Sequence, residues 1–288
     1  MFEIFIEPFI EFEFMQKALM GCFFLSLSAP LLGLFLILKK LSLTGDAISH
    51  AILPGVAIGY AVAGMSVTVM TLGGFIAGSI VIILSGLVSR FTKKGEDSSL
   101  AVFYLVSLAL GILIISMNGN NVDLLGILFG SLLAVDEECL WILAGISAVT
   151  LVTMAVIRRP FIIDCIDPDF LKHNHINGHF YHLIFLILVV LNLIAGFQTI
   201  GTLMAVGLLI LPAAISRLWF KGIIQSYVTG CILVIVACYS GLISSFHLNY
   251  PTTSVIIITL GLIYGLSIIA GTNGGILWKY IRLKHLDS

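Results

Sequence analysis

Nine apolar runs, most of them about as long as a bilayer-crossing helix, leave this chain few ways to fold. A hydrocarbon core of roughly 30 Å takes about 20 apolar residues in a helix. Runs of this kind lie near 16–38, 47–64, 67–89, 98–117, 139–157, 182–197, 201–216, 223–245 and 253–272, joined by short polar connections. In lipid each segment must satisfy its own backbone N–H and C=O groups, which a helix does. The reading is all-α: a polytopic transmembrane helix bundle of eight or nine spans, counting one short broken helix. Only 10% of the 288 residues are charged, against about 25% in soluble domains, so no room remains for a soluble catalytic domain. Residues 1–15 read as an amphipathic segment, 16–278 as a single transmembrane domain and 279–288 as a basic tail. No basic flank precedes an apolar core at the amino terminus, so no cleavable signal peptide is expected. The five cysteines include no CxxC pair and read as small apolar residues.

Lysine and arginine placement sets the expected orientation. Lys39-Lys40, Arg90 with Lys93-Lys94, Arg158-Arg159, Arg217 with Lys221, and Lys279 with Arg282 and Lys284 all fall on one side if the amino terminus is outside. The opposite loops carry Asn118–Asp123, Asp136-Glu-Glu138 and His247–Tyr250, with no Lys or Arg. By the positive-inside rule the basic side, including the carboxyl terminus, is cytoplasmic.

Three stretches depart from a simple bundle. Leu124–Val135 is apolar but about twelve residues long, too short to cross, so it dips in and returns or lies against the bundle. The run 182–216 is broken at Gly196–Gly201, and its second half contains Pro212, which gives no N–H to the carbonyl of Leu208. A short, proline-interrupted helix at membrane depth is tolerated where it lines a cavity, so 201–216 reads as a pathway wall. The longest cytoplasmic connection is 160–180. Within it Asp167-Pro168-Asp169-Phe170-Leu171 reads as the start of a short helix and Gly178 as its stop.

The polar residues that stand out are Asp46 and His50, in Leu41-Ser-Leu-Thr-Gly-Asp-Ala-Ile-Ser-His-Ala-Ile-Leu-Pro-Gly55. Four residues apart on a helix, they share one face. Each has an ordinary explanation: Asp46 as an N-cap after Thr44-Gly45, His50 as a buried imidazole on a backbone carbonyl. Ionisable residues within a span usually mark an ion or substrate path, however. Pro54 cannot donate to the His50 carbonyl, which adds a loose backbone oxygen. Carboxylate plus imidazole without thiolate suits Mn²⁺, Fe²⁺ or Zn²⁺ over Cu⁺. One Asp and one His make half a site, which a two-fold dimer would double. The histidines His173, His175, His179 and His182 are irregularly spaced and read as part of a hydrated loop.

The chain has no G-x-x-x-x-G-K-[ST], so any ATP is bound by another subunit. It also lacks G-x-S-x-G and H-E-x-x-H, which argues against an intramembrane enzyme. Leu41–Tyr60 resembles the signature of the zinc/manganese/iron permease family of ATP-binding-cassette importers: a glycine-aspartate pair, then serine-histidine-alanine, then a glycine. The resemblance continues through Leu128-Phe-Gly-Ser-Leu-Leu-Ala-Val135, Gly201–Arg217 and Tyr250-Pro-Thr-Thr-Ser254, in order over nearly the whole chain.

The resemblance implies a type II ABC-importer-like fold acting as a homodimer in a bacterial plasma membrane. It also implies cytoplasmic ATPase subunits below and an extracytoplasmic metal-binding protein above, with no permanently bound cofactor and no nucleic acid. Metal would pass Asp46 and His50, with Pro54 and Pro212 shaping the pathway. Residues 165–178, with Asp167, Pro168, Asp169, Phe170 and Leu171, would couple to the ATPase. The run Lys172-His-Asn-His-Ile-Asn177 departs from the small residues common there. The expected cargo is Mn²⁺ or Zn²⁺, with Fe²⁺ as a further ion. The rivals are an importer of chelated iron or a vitamin, which needs no Asp/His pair, and an ion-gradient-driven secondary carrier, which needs no ATPase.

Overall fold

The computed structural model describes residues 7–92, 96–117, 135–166 and 178–276. Among them the elements are helices: α1 Glu7–Glu11, α2 Glu13–Leu38, α3 Thr44–Ala51, α4 Leu53–Ala63, α5 Val67–Thr92, α6 Glu96–Met117, α7 Glu137–Ile166, α8 Gly178–Ile200, α9 Thr202–Trp219, α10 Ile223–Leu248 and α11 Thr252–Ala270. With α3 and α4 taken as one interrupted crossing, nine helical segments of the described chain are long and apolar enough to span a bilayer.

The most buried spans are α2 and α8, followed by the α3–α4 pair, and α6 and α11 are the most exposed. α2 packs on α9, α10 and α7, and α8 packs on α7 and α5. Close backbone approach needs glycine at specific places. Gly33 of α2 lies against the Leu209 carbonyl of α9 so tightly that a Cβ there would sit 1.6 Å from the oxygen. Gly55 of α4 and Gly73 of α5 face each other in the same way, each blocking a side chain on the other with its own carbonyl. Small residues at helix interfaces are how membrane spans pack without a hydrophobic drive between them.

The expected break in 182–216 falls at Gly201, whose φ of 85° and ψ of 161° end α8 and start α9. That is a region only glycine occupies without strain.

Two boundaries differ from expectation. The first span begins at Glu13, because Phe9 stacks on Tyr239 and Phe12 packs on Phe246, both with ring centroids 5.3 Å apart. These contacts draw the amino-terminal segment onto α10. The connection expected from Pro160 begins later, since α7 continues through Pro160 to Ile166. Pro160 forfeits one helical bond, but the next residue, Phe161, is fully buried with its ring 5.2 Å from Phe35 and 4.8 Å from Phe185. That packing outweighs the lost bond. Gly178 opens α8. The stretches 124–134 and 167–177, with Asp167, Pro168, Asp169, Phe170, Leu171, His173 and His175, lie outside the described residues, as do 1–6 and 277–288.

Candidate metal site on the interrupted second span

α3 starts at Thr44, with Leu43 in the cap position and no side-chain capping bond. Asp46 is therefore the third helical residue and not the cap its neighbours suggested. The helix begins earlier because Thr44 and Gly45 are buried, with Gly45 against Leu209, Ile210 and Leu36. The carboxylate is released from capping and lies outward, 65% exposed, with the His50 ring one turn on and 33% exposed.

Asp46 Oδ1 and His50 Nε2 are 3.9 Å apart. A zinc-like ion sits about 2.0–2.2 Å from oxygen and nitrogen donors, so a single ion between the two can touch both. Separately, the buried Nδ1 of His50 has no hydrogen-bond partner among the described residues. The ring is oriented instead by Tyr104 of α6, stacked on it at 6.1 Å with 28° between planes. Tyr104 was not singled out from sequence. Its signal is a polar aromatic in a span with Ser107 on the same face one turn later.

Past His50 the span breaks at Ile52. Pro54, buried in the first turn of α4, has no N–H to offer. The loose carbonyl expected at His50 is approached by the Ile52 N–H. The neighbouring Ala51 carbonyl is taken by Ser107 Oγ at 2.9 Å, and the Gly55 N–H turns to Ile52. The break is thus held from α6. Its depth follows from what Ile52 meets: Gly74 and Gly78 of α5 and, beyond them, Val190, the thirteenth of 23 residues in α8. Ile52 is thus level with the middle of α8, and Asp46, six residues earlier, lies about 9 Å nearer the Lys39-Lys40 end.

Among the described residues no group of three or more His, Cys, Asp or Glu side chains converges, so the pair provides two donors. Pro212, the other expected pathway residue, is buried within α9. Of the histidine run, His179 and His182 are 6.5 Å apart. His182 turns to Lys39, whose Nζ lies 3.2 Å from its Nδ1, pairs with Asp164 and sits 4.8 Å above the Phe161 ring. A neighbouring ammonium makes this a structural cluster, joining the end of α2 to the end of α7 and the start of α8.

Comparison with known proteins follows the same outline. The chain is 30% identical over 281 residues to the manganese transport system membrane protein MntC of Halalkalibacterium halodurans, covering 97% of this chain and 95% of that one. It is 31% identical over 268 residues to the manganese import system permease protein ScaB of Streptococcus gordonii, covering 92% and 94%. The solved structure of PsaBC from Streptococcus pneumoniae in complex with Fab superposes with a TM-score of 0.85 at 28% identity, covering 99% of this chain and all of that one. A sequence model of the ABC 3 transport family matches residues 11–271, which takes in the interrupted span, the glycine break and the packed core alike, and the chain belongs to that family.

Proposed function

We propose that the chain is the membrane-spanning permease subunit of an ATP-driven importer of divalent transition-metal ions, with Mn²⁺ the leading cargo and Zn²⁺ or Fe²⁺ the nearest others. The observation that carries this is the Asp46–His50 pair: two hard-to-borderline donors 3.9 Å apart, both reaching the surface of the chain. A second copy across a two-fold axis would supply the other Asp and His and raise the set to four. A site of oxygen and imidazole holds such ions yet remains weak enough to release them, as conduction requires. The manganese-transport relatives support the ion class. The ATPase is a separate cytoplasmic subunit docking at 167–171, and an extracytoplasmic protein delivers the metal.

The orientation proposed is amino terminus outside. Lys39, Arg158-Arg159, Arg217 and Lys221 lie toward one set of helix ends, and Asp136-Glu-Glu138 toward the other. Lys17, on the acidic side, is compensated by Glu13 at 2.7 Å and Glu137 at 3.6 Å.

The test is ATP-dependent uptake of radioactive Mn²⁺ into proteoliposomes holding the permease, its ATPase and the delivering protein. Asp46→Ala and His50→Ala are each expected to abolish uptake while ATPase assembly is retained. Full uptake in both variants sinks the metal-path reading, and uptake without any ATPase makes the chain a secondary carrier.

A further inference from the structure

We propose that the groove between α7 and α10 is a binding site for an anionic phospholipid of the cytoplasmic leaflet. The inference rests on the orientation proposed above and is independent of the metal reading. α7 and α10 hardly touch each other directly. Between them lies a groove of about 840 Å³ whose walls carry Arg158, Arg159, Ile162 and Ile163 on one side and Ile223 and Ile224 on the other. Ile224 is 71% exposed and Arg158 and Arg159 are both exposed, so none of the described residues covers the groove.

Its charge and its depth point to the same occupant. Among the described residues neither arginine has an ion-pair or hydrogen-bond partner. The pair sits seven and eight residues before the end of α7, about 10–12 Å along the axis at 1.5 Å per residue. It shares its level with the start of α10, just past Trp219 and Phe220, both partly exposed. Aromatic and basic residues at one depth mark the headgroup region. A phosphate set there meets two guanidiniums that bind phosphate bidentately, the Gln225 amide on the same rim and the open N–H groups of α10's first turn. Below it the isoleucines accept an acyl chain. A soluble partner offers the charge without the chain, and a neutral lipid the chain without the charge. Basic pockets between spans on the cytoplasmic side are where anionic headgroups are held.

The experiment is native mass spectrometry of the full permease with its ATPase, titrated with phosphatidylglycerol and, separately, phosphatidylcholine. Phosphatidylglycerol is expected to be retained preferentially. Arg158→Gln/Arg159→Gln should weaken it about 25-fold, about fivefold for each charge near the surface, with phosphatidylcholine unchanged. Arg158→Lys/Arg159→Lys should keep most of the preference, which separates lost charge from a misfolded groove. Unchanged phosphatidylglycerol retention in the glutamine variant overturns the proposal. So does loss of a second permease copy or of the ATPase from the glutamine variant without loss of lipid, because the groove would then be a protein interface.

Discussion

Replacing Asp164 should destabilise the protein far more than replacing a surface carboxylate. Lys39 and Asp164 stand 125 residues apart in sequence yet their side chains are only 12% and 11% exposed. Removing one member of a buried ion pair costs about 3–5 kcal/mol, because the other is left charged and poorly solvated. Lys39 would keep two consolations: the His182 nitrogen at 3.2 Å and the Phe161 ring face at 4.8 Å. A hydrogen bond to a charged group contributes about 1.5–3 kcal/mol and a cation–π contact about 0.5–2 kcal/mol. Both already exist in the native protein, so they limit the loss by holding the ammonium in place without replacing the carboxylate. Asp164→Leu is therefore expected at the lower end, about 3 kcal/mol.

Lys39→Met should likewise strand Asp164. The double variant Lys39→Met/Asp164→Leu leaves no buried charge and is expected within about 1–2 kcal/mol of wild type, since apolar replacements of a buried pair are often nearly neutral. The assay is SDS-titrated unfolding in mixed micelles, read as a double-mutant cycle. Losses that simply add, with no recovery in the double variant, refute the reasoning. The exposed Lys17–Glu13 pair, one helical turn apart at 2.7 Å, is the control, and its removal should have no measurable effect. Because the cluster ties the end of α2 to the two helices flanking 167–177, the same single variants should lower ATPase activity that depends on the permease.

Two further substitutions test the backbone. Gly73→Ala would place a Cβ 2.3 Å from the Gly55 carbonyl oxygen; backbone cannot yield as a side chain can, so a loss at or above the usual overpacking range of about 1–3 kcal/mol is expected in the same titration. Gly145→Ala, with open space around it, should be silent or stabilising. At the α8–α9 junction, Gly201→Ala forces a side chain into a conformation at φ 85° and should cost about 1–3 kcal/mol. A variant as stable as wild type would mean that the junction had moved.

The spans were legible because crossing a bilayer imposes a length and an apolar content, and both can be read without knowing any neighbour. The glycine break was legible for a local reason too, since a run of thirty-odd apolar residues must turn where glycine permits. Pairings across the bundle were not. Lys39 read as one of a basic cluster at a span end, and Asp164 as part of a loop starting at Pro160. Proline's local rule ended the helix there, but the burial of Phe161 between Phe35 and Phe185 carries α7 six residues further. Only that extension brings Asp164 to Lys39. Tyr104 and Ser107 were missed for a related reason: what each does is set by the helix it faces.

The Asp46–His50 pair shows how structure bears on readings that spacing leaves level. An i, i+4 carboxylate and imidazole fit a capped helix with a buried histidine as well as they fit a ligand pair. A cap requires the helix to begin just after Asp46, and it begins at Thr44, pulled back by the burial of Thr44 and Gly45. A structural histidine requires its ring nitrogens to be used, and Nδ1 is buried without a partner while Nε2 faces a carboxylate too distant for a hydrogen bond. Burying a polar group unpaired costs free energy; His50 Nδ1 is one of several buried side-chain atoms without a partner among the described residues, and it lies where the helix is also interrupted and held from α6. Departures from local optimality gather at functional sites. Here both ordinary duties of the pair are unfilled at once, and the two donors stand within reach of one ion.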